Sequence, residues 1–401
     1  MTDNVPARPT LRLLPRADAR RIRHGYPWVH RDDLVLDRRA RSLAPGTIAV
    51  LEDAERAPLG LVAASTEARV AARLLDRDPQ ARIDRNWIAA RIAAAAAHRA
   101  RLWGGAPFHR LVHAEADGLP GVVIDRFGDA AVIQPNAAWA DARIEDFADA
   151  LGAIGIQHVL MNASGRARAM EGLGEESRWL RGGLDAPVAV AMNGAVYMAD
   201  LAGGQKTGLF YDQRENHAFV ASLAGGARVL DVFAHVGGFA LAALAGGAAS
   251  ALAVDGSAPA LALAEAGAAR MGRDTDFATR RGDAFDAMAA LAEEGATFDV
   301  VVADPPAFAP AKPALTAGLR AYERVARLAA PLVAPGGYLT LCSCSHAADL
   351  PRFAGACIRG IGRAGRVPQL VRTGFAAADH PVHPQLSDTG YLKALTYRLL
   401  S

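Results

Sequence analysis

The sequence predicts an α/β fold: a doubly wound, largely parallel sheet preceded by a small β-rich segment and a small α+β segment. From about residue 186 onward, apolar strand candidates alternate with alanine- and leucine-rich helical stretches, which is the pattern of βαβ units. Two of these strands end in the turns Asp304-Pro305-Pro306 and Ser343-Cys344-Ser345. Because ligands of such sheets bind beyond the carboxyl ends of the strands, both turns are predicted to face one pocket.

The composition argues against a membrane protein and against a disulfide-rich secreted domain. The longest uncharged run, 236–254, holds four glycines and mostly alanine otherwise, so it predicts helix, turn and strand rather than one membrane span. The three cysteines, Cys342, Cys344 and Cys357, predict neither a disulfide framework nor a zinc or other metal site. Met1–Thr10 lacks the apolar core of a signal peptide. The expected location is therefore the cytoplasm, with no membrane partner.

Residues 1–72 are predicted to form a small β-rich module with an RNA-binding face. A short basic helix precedes two strand candidates that begin at Thr47 and Pro58. The net charge of the chain is only +2, but Arg8–Arg41 holds ten arginines against four aspartates, with aromatic residues among them. Such a segment suits phosphate contacts and base stacking. The alternative is an arginine-rich composition throughout, because lysine occurs only three times in the chain.

Residues 73–185 are predicted to form an α+β segment. An alanine-rich helix over Trp87–Trp103 is followed by two apolar runs whose intervening turn, 126–129, predicts a hairpin. A further helix and a strand are expected near 141–151 and 158–162. The glycine pair Gly182-Gly183 is a plausible joint to the next segment of the chain.

Residues 186–401 are predicted to form the doubly wound domain. Its strand candidates are 228–232, 251–254, 300–303 and 338–341. The first of them, ending in Asp231, is followed by Phe233 and the glycine pair Gly237-Gly238 ahead of a helix. Two glycines let a backbone approach a ligand closely at a helix N-terminus. The G-x-G-x-x-G spacing is absent, which disfavours a nicotinamide cofactor.

Acidic residues follow successive strands of this domain. Asp255 ends the strand after that of Asp231, 24 residues later, where an acid can accept hydrogen bonds from two ribose hydroxyls. Asp283-Ala284, ahead of the next helix, fits a contact to the exocyclic amine of an adenine. The alternative is that Asp231 and Asp283 are helix caps. Three acids at the expected strand ends favour a nucleotide cofactor.

A polar segment at 203–216 precedes the sheet. Within it, Lys206 or Arg214 could hold the carboxylate of a cofactor through a charge-assisted hydrogen bond. The alternative is a solvated loop that leads into a helix.

Several motifs together resemble a known family, the class I S-adenosylmethionine-dependent methyltransferases that modify large-subunit ribosomal RNA. The similarity is greatest to the cytosine-C5 branch with an N-terminal PUA domain and spans nearly the whole chain. The motifs that carry it are His24–Val29, Val112–Gly121, Gly204–Gly208, Asp212–Asn216, Asp304–Phe308, Leu341–His346 and Ala378–Pro381.

This resemblance implies a PUA domain at 1–72, a central α+β domain at 73–185 and a Rossmann-like methyltransferase domain at 186–401. It implies S-adenosylmethionine as cofactor and large-subunit ribosomal RNA as partner, and a homodimer is one assembly open to such a chain. Cys344 takes the position of the nucleophile and Asp304 that of the group that binds the base. The cofactor positions are Lys206, Arg214, Asp231, Phe233, Gly237, Gly238, Asp255, Asp283, Ala284 and Pro305.

A thiol and a carboxylate at one pocket suit attack on the electrophilic edge of a pyrimidine. Addition of a Cys344 thiolate to C6 of cytosine makes C5 nucleophilic, and a positive charge nearby is expected to favour the thiolate. Cys342 shares a strand face with Cys344 but is expected to be a packed thiol, and Cys357 a core residue. His346 is a candidate base for the C5 proton or a structural residue. Many related enzymes carry a second cysteine where Ala307 stands, so the group that releases the product stays open.

Two other functions remain open on the sequence. An RNA guanine methyltransferase on the same scaffold would need no thiol, although methylators of amino groups usually present Asn-Pro-Pro rather than Asp-Pro-Pro. A non-catalytic RNA-binding protein of ribosome assembly would not bind S-adenosylmethionine.

Overall fold

The computed structural model describes residues 8–204, 208–386 and 389–400, which fold into two compact units. The first unit holds residues 8–185 together with Pro381–Leu386. The second holds the described residues of 186–380 and of the segment after 386. Lys206 lies outside the described residues.

The N-terminal part of the first unit is a mixed sheet in the strand order β1-β3-β4-β5-β2, in which β1 runs parallel to β3 and the other pairs are antiparallel. Its elements are β1 Thr10–Arg12, α1 Ala19–Arg23, β2 Trp28–His30, α2 Arg38–Arg41, β3 Thr47–Glu52, β4 Pro58–Ala64 and β5 Val70–Asp76. The two strands predicted to begin at Thr47 and Pro58 are confirmed as the antiparallel pair β3 and β4.

The second sheet of this unit has the strand order β10-β9-β8-β7-β6. Its elements are α3 Arg85–Trp103, β6 Phe108–His113, β7 Val122–Phe127, β8 Ala130–Pro135, α4 Ala138–Asp141, α5 Ile144–Ala153, β9 His158–Met161, α6 Arg166–Met170 and β10 Arg178–Arg181. The predicted long helix and hairpin are confirmed as α3 and β7–β8. Asp84 caps the first turn of α3, and Gly104 ends the helix in the left-handed conformation that favours glycine.

The second unit is built on a sheet in the order β15-β14-β13-β16-β17-β19-β18. Its first elements are β11 Val188–Met192, β12 Ala195–Ala199, α7 Arg214–Ser222, β13 Arg228–Val232, α8 Gly238–Ala245, β14 Ser250–Asp255, α9 Ala258–Arg270 and β15 Phe277–Arg281. The remaining elements are α10 Ala284–Glu293, β16 Phe298–Ala303, α11 Leu315–Ala329, β17 Val333–Ser343, α12 Leu350–Arg363, β18 Val367–Gly374 and β19 Lys393–Leu400.

Strands β15, β14, β13, β16 and β17 are parallel, which confirms the predicted doubly wound sheet. β19 pairs antiparallel with β17, and β18 pairs antiparallel with β19 at the edge of the sheet. The sequence pattern predicted neither of these two strands. Helices α7, α8 and α9 pack with the β11–β12 hairpin, whereas α10, α11 and α12 share a core with the other face of the sheet. Because helices cover both faces, the central strands read as continuous apolar runs. Cys357 on α12 is buried in this core, as predicted.

The long uncharged run at 236–254 forms α8 and β14, as the sequence predicts. In the part of the chain that the structure describes, none of the helices combines the length and apolarity that crossing a bilayer requires.

Candidate active site

The loop after β13 has an unusual backbone. Phe233 and His235 adopt positive φ angles of 64° and 50°, a conformation that side chains other than glycine rarely adopt. Two amides of the loop donate hydrogen bonds that hold it: Ala234 N to the backbone oxygen of Val254 at 3.0 Å, and His235 N to the side-chain Oδ2 of Asp255 at 2.8 Å. Strain of this kind persists only where the surroundings enforce it and clusters at ligand sites.

The glycine pair of this loop is explained by packing within the protein. Gly237 has a φ of +78°, and a Cβ at Gly238 would lie 2.8 Å from Nε2 of the buried His217. Packing within the protein therefore requires glycine at both positions, which the sequence alone did not reveal. Close approach of a ligand to Gly237 and Gly238 stays a prediction.

Asp231 is both a helix cap and a candidate ligand group. Its Oδ2 accepts hydrogen bonds from Phe239 N at 3.2 Å and Ala240 N at 2.9 Å, in the first turn of α8. Its Oδ1 is buried and has no hydrogen-bond partner among the described residues. Burial raises the pKa of Asp231 to about 7, and the charges of Asp304 and Asp255 act in the same direction. A buried acceptor atom without a donor fits the cationic ammonium group of an amino-acid cofactor.

The other two acids end or follow neighbouring strands. Asp255 accepts from His235 N and, through Oδ1, from Ser257 N at 2.8 Å. Asp283 is exposed and caps α10 by accepting from Phe285 N at 2.8 Å and Asp286 N at 3.2 Å. The capping alternative is thus observed for Asp231 and Asp283, and it leaves further lone pairs for a ligand.

Aromatic rings line the region next to these acids. The ring centroids of Phe233 and Phe285 are 6.2 Å apart, and those of Phe285 and Phe308 are 6.3 Å apart. Ala284 is buried beside them in the same core. Apolar rings beside a few fixed polar groups are the usual lining of a small-molecule site.

Arg214 is 5 % exposed at the start of α7. Burial lowers the pKa of Arg214, and the negative charge of Asp379 opposes that effect. A carboxylate of a ligand would therefore share this guanidinium with a protein carboxylate, and the role predicted for Arg214 stays a prediction.

Asp304 and Cys344 follow neighbouring parallel strands at the same edge of the sheet. β16 and β17 are paired in register up to Ala303 opposite Leu341, so Asp304 follows one strand end and Cys344 the other. The amide of Asp304 donates to Val232 O at 3.2 Å, and Pro305 is buried directly after it. The sheet thus brings the predicted carboxylate and thiol to one edge.

The two cysteines of this strand differ in environment. Cys342 is 1 % exposed, and burial raises the pKa of its thiol well above the usual value, followed by the effect of Asp304. Cys344 is partly exposed. A buried thiol that resists ionisation is a poor nucleophile, so the structure favours Cys344 over Cys342.

A buried lysine supplies positive charge near Cys344. Lys393 lies opposite Ser343 in the β17–β19 register, and its Nζ donates to Ser345 O and Ala348 O at 2.8 Å each. Burial lowers the pKa of Lys393, and the charge of Cys344 opposes that effect. The interaction is mutual, so the ammonium group favours the thiolate of Cys344. Sequence reasoning missed Lys393, although it is one of only three lysines in the chain.

A hydroxyl network joins the two turns. The Tyr322 hydroxyl on α11 accepts from Ser343 Oγ at 2.9 Å and lies 2.7 Å from Ser345 Oγ. Ser345 Oγ in turn accepts from Ala309 N at 2.9 Å, on the segment that follows the two prolines. Cys344 is therefore flanked by two serines that are fixed to the loop carrying Asp304. We call Tyr322, Ser343, Ser345 and Ala309 the hydroxyl clamp.

If Cys344 is the nucleophile that the sequence predicts, replacing Tyr322 with phenylalanine is expected to lower turnover by about 10- to 100-fold, because the clamp then positions Cys344 less accurately. Affinity for the cofactor should change little, since the clamp touches none of the three acids. The rate of a single turnover and the calorimetric affinity for the cofactor measure the two effects. Tyr338→Phe, in the middle of the same strand and outside the hydroxyl clamp, is the matched control; equal turnover of both variants would contradict a positioning role.

His346 is exposed, and its ring lies 5.6 Å from that of Tyr391. Tyr391 donates to Asp212 Oδ2 at 2.6 Å. This contact gives His346 a neighbour within the second unit, and neither of its two predicted roles is decided by it.

The parallel sheet, the strained loop after β13 and the acids at successive strand ends define a Rossmann-like domain for a nucleotide cofactor. The profile of the S-adenosylmethionine-dependent methyltransferase family matches residues 146–397, and that of the PUA-like domain matches residues 11–77. The chain therefore belongs to this methyltransferase family, with a PUA-like domain in its N-terminal part and S-adenosylmethionine as its cofactor.

Relatives agree with this assignment, and a solved structure shares the fold. A protein of Shewanella denitrificans named ribosomal RNA large subunit methyltransferase I is 34 % identical over 95 % of this chain and 97 % of its own length. A ribosomal RNA large subunit methyltransferase of Deinococcus radiodurans is 32 % identical over 98 % of this chain and 99 % of its own. The structure of a methyltransferase candidate complexed with SAH has a TM-score of 0.81 at 19 % identity, covering 97 % of this chain and 100 % of the other, which shows the shared fold.

Proposed function

We propose that this protein transfers the methyl group of S-adenosylmethionine to C5 of a cytosine in large-subunit ribosomal RNA through a covalent adduct of Cys344. The relatives that span almost the whole chain are named as large-subunit ribosomal RNA methyltransferases. The observation that carries the cytosine-C5 assignment is the partly exposed Cys344, held by the hydroxyl clamp at the sheet edge where Asp304 lies. Methylation at a nitrogen of guanine would leave this thiol without a role.

The residues of the site support a reaction by addition and elimination. The thiolate of Cys344, favoured by Lys393, adds to C6 of the base, while Asp304 holds the N3/N4 edge and stabilises the proton that N3 then carries. This addition makes C5 an enamine carbon, which takes up the methyl group. A base then takes the C5 proton, the electron pair of that C–H bond forms the C5–C6 double bond, and the Cys344 sulfur leaves C6 as a thiolate. Release of the N3 proton restores a neutral ring. The base has to leave its stack first, which costs a few kcal/mol.

The cofactor would supply an electrophilic methyl group on a sulfonium, and the electron pair of the broken carbon–sulfur bond would stay on sulfur as a neutral thioether. In this proposal Asp231 Oδ1 accepts from its ammonium group, Asp255 from the ribose hydroxyls and Asp283 with Ala284 contacts the adenine, beside the rings of Phe233 and Phe285. The further cofactor positions are Gly237, Gly238, Pro305, Arg214 and Lys206.

The N-terminal domains supply RNA contacts in this proposal, with boundaries at 1–72 and 73–185 ahead of the catalytic domain at 186–401. Exposed arginines of α1, α2 and the residues beside them support a phosphate-binding face. They are Arg16, Arg20, Arg21, Arg38, Arg39 and Arg41.

The test is incubation of the protein with labelled S-adenosylmethionine and unmodified ribosomal RNA, followed by nucleoside mass spectrometry. We expect label in 5-methylcytidine. Label in a methylated guanosine would overturn the cytosine assignment and favour the guanine alternative. Absence of transfer together with absence of cofactor binding in calorimetry would favour a non-catalytic role in ribosome assembly.

A further inference from the structure

A buried amide side chain contacts Asp304 from a part of the sequence to which we assigned no catalytic role. Gln213 is 3 % exposed and directly precedes α7. Its Nε2 donates to Asp304 Oδ2 at 2.8 Å, and its Oε1 accepts from Asn216 Nδ2 at 2.7 Å. Gln213 thus lies between the proposed base-binding carboxylate and the interior of the domain.

The orientation of the Gln213 amide follows from its neighbours. Asn216 Nδ2 also donates to the backbone carbonyl of Phe375 at 3.1 Å, and a carbonyl can only accept. The atom of Asn216 that faces Phe375 and Gln213 is therefore its NH₂ group. Gln213 must present its oxygen to that group, which leaves its own NH₂ group for Asp304. Asn216 Oδ1 packs against Gly374, where a Cβ would not fit, so Asn216 is itself fixed.

We propose that Gln213 is a positioning residue for the methyl-transfer reaction: its NH₂ group holds Oδ2 of Asp304 and thereby orients the carboxylate toward the base. The inference rests on the role proposed above for Asp304. It adds a chain of hydrogen bonds, here called the relay, that runs from the backbone carbonyl of Phe375 through the side chains of Asn216 and Gln213 to Asp304. Each bond in the relay fixes which group donates in the next one.

A relay of this kind has a specific chemical consequence. A carboxylate beside an N–H donor keeps its charge and its orientation, whereas a second carboxylate in the place of the amide would repel it. Two facing carboxyl groups restore a hydrogen bond only when they share one proton, which happens at lower pH. A merely structural role for Gln213 predicts loss of stability but no such coupling of activity to pH.

The experiment compares Gln213→Glu with the wild type in kcat and KM for RNA between pH 5.5 and 8.5. We expect kcat to fall by about 100-fold at pH 8 and the loss to shrink toward acid pH, which moves the optimum to lower pH. Gln213→Met, uncharged and of similar size, is expected to lose kcat by about tenfold without the acid shift. The matched control is Gln369→Glu, the same substitution at an exposed position of β18, and it should keep the wild-type profile.

A second variant tests the relay at a residue that does not touch Asp304. Asn216→Asp places an acceptor where the donor was, so the Gln213 amide turns round and presents its oxygen to Asp304. We expect kcat to fall by about tenfold, with cofactor affinity measured by calorimetry unchanged. The inference would be overturned if both Gln213→Glu and Asn216→Asp had the same kcat and the same dependence of kcat on pH as the wild type. If the wild-type protein yields no 5-methylcytidine, the proposed function fails first and the role of Gln213 in it fails too; if it yields 5-methylcytidine and these variants are indifferent, only the role of Gln213 fails.

Discussion

Replacement of Cys344 with alanine is expected to lower methyl transfer by more than about 1,000-fold, because in the proposed mechanism Cys344 is the covalent nucleophile and its removal abolishes the addition step. The side chain is small and partly exposed, so folding and cofactor affinity should change little. Transfer of labelled methyl to ribosomal RNA measures the loss, and calorimetry with S-adenosylmethionine verifies that the site is intact.

The remaining cysteines provide the controls for this prediction. Cys357→Ala removes a buried thiol from α12 and should cost about 1 kcal/mol of stability, with transfer close to that of the wild type. Cys342→Ala tests the alternative nucleophile, since a loss confined to this variant would assign the addition to residue 342.

A substrate analogue that traps the covalent adduct tests the role of Cys344 without rate measurements. In RNA that contains 5-fluorocytidine, fluorine replaces the C5 hydrogen, and a base cannot remove it. The elimination step is then blocked, so the covalent adduct should persist and appear as a protein–RNA band in denaturing electrophoresis. We expect the band with the wild type and with Cys357→Ala, and none with Cys344→Ala. Full methyl transfer by Cys344→Ala would instead support the guanine alternative.

The sequence located the edge of the sheet at which the site lies because its signals are local. An apolar strand, an acid at its end and a proline pair or a thiol directly after it can be recognised within about ten residues. Asp231, Asp255, Asp304 and Cys344 all lie at or directly after the carboxyl ends of strands of one parallel sheet, as expected. The same local signals identified Cys342 and Cys357 as packed thiols.

The groups that support the site could not be found in this way because they depend on pairing between distant segments. Lys393 lies near Cys344 only because β19 pairs antiparallel with β17, and the sequence pattern did not reveal β19. Gln213 is separated from Asp304 by 91 residues and Tyr322 from Ser343 by 21. Each is an ordinary polar residue until the fold supplies its partner.

Local sequence patterns also left two possible roles for Asp231. An aspartate at a strand end before a helix is a candidate both for a cap and for a ligand contact, and Asp231 shows the two together. Only the structure separates them, since one carboxylate oxygen serves the helix and the other is buried without a donor among the described residues. This arrangement leads to a second prediction.

For Asp231→Asn we expect two effects. Its free energy of unfolding should increase relative to that of the wild type as the pH rises, and its affinity for the cofactor should decrease. Burial raises the pKa of Asp231 from 3.8 to about 7, so the folded protein favours the protonated acid. The stabilising contribution of Asp231 is complete below pH 3.8 and is lost as the pH rises through about 7. A difference of about three pKa units corresponds to about 4 kcal/mol, whereas asparagine keeps an uncharged acceptor for α8 at every pH.

Urea unfolding of both proteins at pH 5 and pH 8 measures this effect. The unfolding free energy of the wild type, relative to that of Asp231→Asn, should fall between the two values. Asp283→Asn reports what the same substitution does at an exposed helix cap. S-adenosylmethionine should bind Asp231→Asn more weakly, because an amide carries no charge to neutralise the ammonium group from which the carboxylate is proposed to accept a hydrogen bond. The charged Asp231 lowers the stability of the protein without cofactor, and the cofactor would neutralise that charge, so cofactor binding and folding are coupled. If the unfolding free energies of the wild type and Asp231→Asn depended on pH in the same way, this coupling would not exist.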